Sequence, residues 1–568
     1  MNPATLAKLN ALAAAIRAKQ LPSFPATTAG EAALPPPTPT EIETSPCEAR
    51  EEEFRHIYDR YGNLIRLNDK QLEFVNLVAE GKSAVLIGAA GTGKTTCQKA
   101  ATQALINAGI AGTLSSQGHK HLTSGTPGIV ICAYTRRAVA NIRKNVSTEL
   151  QGNCITIHKL LEYQPVYYEV TDDETGKTRT TMRFEATRNA KNPLPSSIKV
   201  LIFEESSMLG TDLYNEVLAA CPHGPQVIFL GDIQQLPPVF GPAILGFKLL
   251  SLPVIELTEV YRQALESPII SLAHKILSGK GLPSDKFQET NKPPLLKLHP
   301  WKKKIAPEDA LNTVVAFFRE ADKHGAYDVE EDMILIPYNK QFGTDELNLK
   351  LANHFARKHS KTTHQVIAGF NRRYFSEGEK ILYDKEDAVI IKIEPNPAYY
   401  GVPPLPASAT LDYFGYDPAS QDSKSNSTDD VDFLLGQVAL QQGKDEERTK
   451  QSSHLITIRR LESDQELTLS AAGEINAILY GYALTVHKAQ GSEWRRVFLL
   501  LHHSHNRMIQ RELLYTAVTR AKEELYVICE PDSFVRGIEN ARIKGTTLAE
   551  KAIYFKGKLN EQQDPELM

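Results

Sequence analysis

Gly88-Ala89-Ala90-Gly91-Thr92-Gly93-Lys94-Thr95 follows the apolar run Ala84-Val85-Leu86-Ile87 and precedes a stretch of helical character. Strand, glycine loop and helix start, in that order, are what a phosphate needs. Successive backbone N–H groups wrap the anion and the helix N-terminus adds its partial positive charge. Lys94 is placed to reach the terminal phosphates and Thr95 to hold Mg²⁺, with Gly88, Gly91, Gly93 and Thr96 completing the cradle. The alternative is an ordinary glycine turn, which the preceding strand argues against. The loop therefore predicts a nucleoside triphosphate site and leaves open what hydrolysis drives.

Downstream, buried parallel strands recur, each delivering polar residues at its carboxyl end. Gly128 to Ala133 runs into Tyr134-Thr135-Arg136-Arg137 at a helix start. There Thr135 and the arginines either hold phosphate or act as a capping threonine with two solvated cations. Thr156-Ile157-His158-Lys159 follows a second strand, and Val200 to Phe203 ends in Glu204-Glu205-Ser206-Ser207-Met208. Acids in that position manage Mg²⁺ and the attacking water: Glu204 is assigned to the metal, Glu205 to orienting or deprotonating the nucleophile. Val227 to Leu230 leads into Gly231-Asp232 and Gln235, polar groups suited to sensing a γ-phosphate. Upstream, Gln71 carries an amide whose donor and acceptor suit an adenine edge; without its neighbours it reads as a surface glutamine.

The bulk numbers set bounds. A chain of 568 residues predicts three or four domains. With 64 basic against 68 acidic residues, any nucleic-acid contact must be a local groove. Cys47, Cys97, Cys132, Cys154, Cys221 and Cys529 are scattered without a C-x-x-C pair, which fits neither a zinc site nor a disulfide framework. No apolar run is long enough to span a bilayer and no signal-type h-region opens the chain, so a soluble intracellular protein without a membrane partner is expected. Residues 1–20 carry Leu6, Leu9, Ala13 and Ile16 at helical spacing before prolines break the pattern. This predicts a short helix on a flexible tail over 1–50, a partner-binding or merely solvated segment in preference to a transit peptide.

Gln71, the glycine loop, Ala133 to Ala140, Glu204 to Met208 and Gly231-Asp232 with Gln235-Leu236-Pro237-Pro238 resemble, in order and spacing, the motifs of superfamily 1 helicases. The second half supplies Glu259-Val260-Tyr261-Arg262, Thr485-Val486-His487-Lys488-Ala489-Gln490-Gly491-Ser492-Glu493 and Leu514 to Ala521 with Arg520, which match that family's later motifs. Thr156 to Leu161, followed by residues 163–185 read as an inserted β-hairpin, is similar to the RecD and Dda branch, whose members run 5′ to 3′ on single-stranded DNA. The hairpin, which by its residues alone is either a base-wedging element or decoration, would then be the strand-separating pin.

The resemblance implies an α/β fold of two RecA-like P-loop motor domains, at 51–255 and 256–534, with ATP and Mg²⁺ as cofactors. Short antiparallel strands around Glu379–Tyr383, Ala388–Ile393, Leu455–Ile458 and Glu466–Leu469 predict a small SH3-like β-barrel inserted at about 371–475, with a mobile loop over 403–450. A polar C-terminal tail is expected over 535–568. Arg262 and Arg520 match the family's γ-phosphate arginines and, with Lys94, Glu205 and Gln235, the catalytic set. Tyr261, Gly491 and Glu493 join Gln71 and Asp232 as nucleotide contacts. Thr135, Arg136, His158, Thr485 and His487 are expected on the phosphates of single-stranded DNA. Relatives carry Asp where this chain has Glu204, one methylene longer. The implied function is an ATP-dependent helicase acting on single-stranded and forked DNA as a monomer in a bacterial or phage-infected cell, with replication proteins as partners of the tails. An RNA helicase or a non-unwinding DNA translocase of the same superfamily are the alternatives.

Overall fold

Continuous apolar runs bounded by glycine or polar loops make strands buried on both faces, and the chain uses them to build two parallel sheets. The structure is a computed structural model that describes residues 56–58, 64–171, 178–238, 243–260, 266–279, 295–300, 305–324, 327–328, 330–340, 342–358, 362–369, 371–384, 386–399, 451–461, 464–545 and 547–563. The expected N-terminal tail, the loop over 403–450, Tyr261 and Arg262 lie outside the described residues.

Strands β1 (His56–Tyr58) and β2 (Leu64–Arg66) form a short antiparallel ribbon. Then come β3 (Ala84–Gly88), β4 (Ile129–Ala133), β5 (Cys154–Thr156), the pair β6 (Gln164–Thr171) and β7 (Thr178–Glu185), β8 (Val200–Phe203), β9 (Gln226–Gly231) and β10 (Val254–Leu257). Six of these make an all-parallel sheet in the order β10-β3-β9-β8-β4-β5. The pair β6 and β7 stands apart as an antiparallel ladder of eight residues each, Gln164 opposite Glu185, as expected for the hairpin.

The second half continues with β11 (Leu295–Pro300), β12 (Asp332–Ile336), β13 (Thr363–Ala368), β14 (Asn371–Ser376), β15 (Lys380–Tyr383), β16 (Glu386–Pro395), β17 (Gln451–Arg460), β18 (Glu466–Ala471), β19 (Leu479–Tyr480), β20 (Ala483–Thr485), β21 (Trp494–Leu501) and β22 (Ala521–Cys529). Five of them form a second parallel sheet, β11-β22-β21-β12-β20. Strands β13 to β19 are all antiparallel and make one seven-stranded sheet around Ile381, Ile390, Ile456 and Ile458. This insertion is wider than expected, running from Thr363 to Tyr480, because β13 and β19 join it; on β14, Arg372 and Tyr374 are exposed while Arg373 turns inward, its Nη1 donating to the carbonyls of Ile475 at 3.2 Å and Asn476 at 3.1 Å.

The two parallel sheets touch through the loops at their strand ends. Leu236, just after β9, is fully buried in the second sheet's apolar cluster with Leu513, Leu514 and Ala517. Burial of one such leucine is worth about 1.5–3 kcal/mol. The C-terminal region differs from the polar tail expected there: Pro531–Glu539 and Leu548–Gln563 are helices. The latter packs back on the first sheet's layer, where Leu548 joins the apolar cluster and the Phe555 ring lies against Gly246, a Cβ on which would fall 2.4 Å from it.

Candidate functional site: a phosphate loop between two parallel sheets

The glycine loop connects β3 to the helix Lys94–Asn107. Gly93 caps that helix at φ 87° and Gly91 lies at φ 81°, left-handed values that side chains disfavour. Gly88 is held by contact: a Cβ there would sit 2.3 Å from Thr92 Oγ1, which donates to the Ala89 carbonyl at 2.9 Å. The Lys94 ammonium lies back across the loop, donating to the carbonyls of Gly88 at 2.6 Å and Ala89 at 3.2 Å. Thr95 is exposed at the helix start and Thr96 half-buried behind it.

Gln71 is not a surface residue; it is fully buried. Its backbone N–H donates to Asn68 Oδ1 at 2.9 Å and its Oε1 accepts from the Asn68 N–H at 3.0 Å, a capping box that starts the helix Asp69–Ala79. Its Nε2 donates to the Thr92 carbonyl at 3.3 Å, so the amide ties this helix to the loop. Asn68 Nδ2 in turn donates to Glu259 Oε2 at 2.9 Å, which ties the helix start to the Glu259-Val260 segment.

Beside the loop, Glu204 and Glu205 end β8. Glu205 adopts φ 48° and ψ 40°, a left-handed conformation uncommon for a side-chain-bearing residue and of the kind that collects at functional sites. Its N–H donates to Glu204 Oε2 at 3.2 Å. Burial, then the Glu205 charge, push the Glu204 carboxyl up to about 7, with the Lys94 ammonium opposing. Asp232 is buried at the end of β9; its Oδ1 accepts from the Gln234 N–H at 3.0 Å and its Oδ2 from the Tyr515 hydroxyl at 2.5 Å. Gln235 Oε1 and Ser207 Oγ are buried without a hydrogen-bond partner among the described residues. With a close-packed glycine cradle and a lysine at its mouth, orphaned polar atoms beside a carboxylate pair fit a bound nucleotide and an oxygen-liganded cation.

From the second sheet comes Arg520, five residues after Tyr515, whose three side-chain hydrogen bonds stay on its own side. Nε donates to the Thr516 carbonyl at 3.0 Å, Nη1 to the Ser492 carbonyl at 3.1 Å and Nη2 to Thr519 Oγ1 at 3.2 Å. Gly491, at φ 73°, lies against the first sheet: a Cβ there would come 2.8 Å from Thr135 Oγ1. Glu493 is exposed, its Oε2 3.7 Å from Lys522 Nζ.

The residues expected on DNA fall on both sides of that seam. Thr135 caps the helix Arg136–Arg143, its Oγ1 accepting from the Ala138 N–H at 3.1 Å. Arg136 pairs with Asp384 and lies 3.9 Å from Glu386 Oε1. His158 sits edge-on between Tyr134 and Tyr163, with ring centroids 5.5 and 5.0 Å away. Thr485 Oγ1 accepts from the Lys488 N–H at 3.3 Å. His487 is half-buried, and burial with the Arg542 charge lowers its basicity. Arg137, read from sequence as a phosphate contact or a solvated cation, is neither exposed nor unpaired: it is buried, pairs with Asp387, donates to Ser492 Oγ at 3.4 Å and lies 5.2 Å from the Trp494 ring centroid. Sequence reasoning missed Tyr515, although that residue stands inside a motif already quoted.

A glycine loop at the carboxyl end of a parallel sheet, with a carboxylate pair on a nearby strand end, defines a P-loop nucleotide-using α/β protein. A family model described as an AAA domain matches residues 66–292 and one described as a UvrD-like helicase C-terminal domain matches residues 480–528. The ATP-dependent RecD2 DNA helicase of Deinococcus radiodurans is 28% identical over 466 residues, covering 81% of this chain and 48% of that one. The ATP-dependent DNA helicase dda of Enterobacteria phage T4 is 32% identical over 210 residues, 36% of this chain and 40% of that one. A Pif1 helicase structure from Candida albicans covers 87% of this chain and 100% of its own at 15% identity and a TM-score of 0.43, too loose to bear on function. In its two family matches and these relatives the chain is similar to superfamily 1 helicases of the RecD/Dda kind. It spans about half the length, or less, of these curated relatives. Among the described residues, no helix is long and apolar enough to cross a membrane.

Proposed function

We propose that the chain is an ATP-driven helicase that translocates 5′ to 3′ on single-stranded DNA and opens a fork, its two parallel sheets being the cores of RecA-like motor domains over 51–255 and 256–534. The observation that carries the reading is the seam: the phosphate loop of one sheet is hydrogen-bonded to the helix Arg511–Val518 of the other, which ends two residues before Arg520. A nucleotide in that loop touches both halves at once, which is what turns hydrolysis into relative motion.

In this reading Lys94 and the loop amides hold the phosphates, while Thr95 and Glu204 are the residues that would hold Mg²⁺. Bound ATP and Mg²⁺ supply the scissile phosphoanhydride and the neutralisation of its charge. Glu205 orients the attacking water, Gln235 and Asp232 are assigned to sensing the terminal phosphate, and Arg520, with Arg262, supplies transition-state charge from the second domain. Gln71, Tyr261, Gly491 and Glu493 are assigned to the rest of the nucleotide. Thr135, Arg136, His158, Thr485 and His487 are assigned to the DNA phosphates. The β6–β7 hairpin is proposed as the pin, and the antiparallel insertion as an SH3-like barrel. Direction is carried over from the RecD/Dda likeness, as are action as a monomer in a bacterial or phage-infected cell and contacts of the tails with replication proteins.

The test is unwinding of forks that carry only a 5′ or only a 3′ single-stranded tail, in DNA and RNA versions. The expected result is unwinding of the 5′-tailed DNA fork, abolished together with ATP hydrolysis in Lys94→Ala. Full DNA-stimulated hydrolysis in that variant would sink the motor reading, and equal unwinding of RNA would replace the substrate.

A further inference from the structure

Ala90, third in the glycine loop, is held through both of its backbone polar groups by the second half of the chain. Its N–H donates to the Tyr515 hydroxyl at 2.7 Å, and its carbonyl lies 3.2 Å from His274 Nε2. The same Tyr515 hydroxyl donates to Asp232 Oδ2 at 2.5 Å. One fully buried phenol therefore bridges the loops that follow β3 and β9, strands that are neighbours in the first sheet. Next along its helix, Thr516 Oγ1 accepts from the Leu236 N–H at 3.0 Å, and Gln490 Nε2 donates to the Leu236 carbonyl at 2.7 Å. These bonds hold the Asp232–Leu236 loop to the second sheet whether or not Ala90 is engaged.

A phosphate cradle works through its backbone N–H groups. In this loop one of them is already satisfied by a neutral oxygen that belongs to the other half of the molecule. That oxygen accepts from Ala90 and donates to a buried carboxylate, so it stands where a phosphate oxygen finds a donor. We propose that Tyr515 is a positioning residue that couples the two halves: its hydroxyl and a nucleotide phosphate compete for the Ala90 N–H, so phosphate binding releases the helix Arg511–Val518 from the loop. This rests on the nucleotide-driven reading above. It adds a residue through which occupancy of the loop is felt by the second domain, and that residue acts on the loop and on Asp232 without touching the reacting atoms itself.

A buried tyrosine also takes any partner within reach simply to be satisfied. The two explanations separate in Tyr515→Phe, which keeps the ring and removes only the hydroxyl. Calorimetric titration with a non-hydrolysable ATP analogue, in the absence of DNA, is expected to show about five-fold tighter binding than wild type, the factor that corresponds to one ordinary net hydrogen bond. ATPase assays are expected to show a smaller stimulation by single-stranded DNA, since release of the helix no longer reports on the nucleotide. Thr516→Val, which removes the neighbouring bond to Leu236 and leaves Tyr515 in place, is expected to bind the analogue as wild type does. Unchanged or weaker analogue binding in Tyr515→Phe overturns the proposal, as does equal tightening in Thr516→Val, which marks a general loosening of the seam. Failure of the wild type itself to bind the analogue overturns the nucleotide reading first, and the coupling with it.

Discussion

Replacing Asp387 by Ala attacks the place where three parts of the molecule meet. Asp387 belongs to the antiparallel insertion, Arg137 to the helix that follows Thr135, and Trp494 to the first strand after the Gly491 motif. Asp387 Oδ1 accepts from Arg137 Nη2, and its Oδ2 accepts from Trp494 Nε1 at 3.1 Å. Side chains of Arg137 and Asp387 are 5% and 7% exposed, so the pair is dry. Truncating one partner of such a pair costs about 3–5 kcal/mol because the surviving charge stays buried. The lost indole bond adds roughly 1 kcal/mol. Burial lowers the basicity of the nearby Lys380 ammonium, on which the Asp387 and Arg137 charges act in opposite senses, so removing the pair together largely preserves its balance.

In a chain with several cores this cost appears as local opening more than as global unfolding. At about 1.4 kcal/mol per decade, 3 kcal/mol is roughly a hundred-fold rise in the open population. Hydrogen exchange at the amides of Ala138 and Val139, which bond back to Thr135, should accelerate by about that factor in Asp387→Ala. The double variant Arg137→Met with Asp387→Leu removes both charges and should recover most of the protection. Exchange as fast in the double variant as in the single would refute the reasoning, since the cost would then not be a stranded charge. So would exchange in Asp387→Ala within about three-fold of wild type.

Two further outcomes are expected. Glu204 carries a carboxyl raised from 4.5 to about 7, so the folded state holds its proton more tightly than the unfolded chain and loses stability as pH rises through that window. Glu204→Gln escapes this loss: in magnesium-free buffer its thermal stability should match wild type near pH 4.5 and exceed it above pH 7 by at most about 3 kcal/mol, whereas a difference independent of pH would contradict the assignment. Shortening the hairpin between β6 and β7 should leave DNA-dependent ATP hydrolysis intact while reducing fork opening; unchanged unwinding removes the pin from the proposal.

The elements legible in the sequence were those whose physics is local. Strands β3, β4, β8 and β9 are buried on both faces and so read as unbroken apolar runs, and the glycine loop announces its left-handed positions by residue type. What was hidden depends on packing between distant segments. Gln71 has the composition of a surface residue, and only its bonds to Asn68 and Thr92 account for its burial. The helix Leu548–Gln563 reads as a polar tail because, among its side chains over 548–557, only Lys551 is buried, and contacts from Leu548 and Phe555 hold it. Arg137 looks like a second solvated arginine beside Arg136 until the partner from residue 387 is placed next to it. Tyr515 was quoted within a motif, yet its meaning lies 425 residues away at Ala90.

The two arginines expected on opposite ligands are held in ways that suit different tasks. Arg136 is partly exposed and pairs with Asp384 and Glu386 at the surface of the insertion. Surface pairs of this kind contribute about 0–1 kcal/mol, so a DNA phosphate can replace the carboxylates at little cost, and the exchange is easily reversed as a strand moves past. Arg520 is buried, and its three bonds are to two carbonyls and a threonine hydroxyl. Moving it means giving up three satisfied donors in a dry setting, where an unsatisfied group costs about 1–3 kcal/mol. Only a ligand that returns charge-assisted hydrogen bonds offsets that loss, and a terminal phosphate crossing the seam is such a ligand. In the proposed motor, the weakly held arginine belongs on the track that must be released at each step. The firmly held one belongs on the fuel, where premature engagement would hydrolyse ATP without movement.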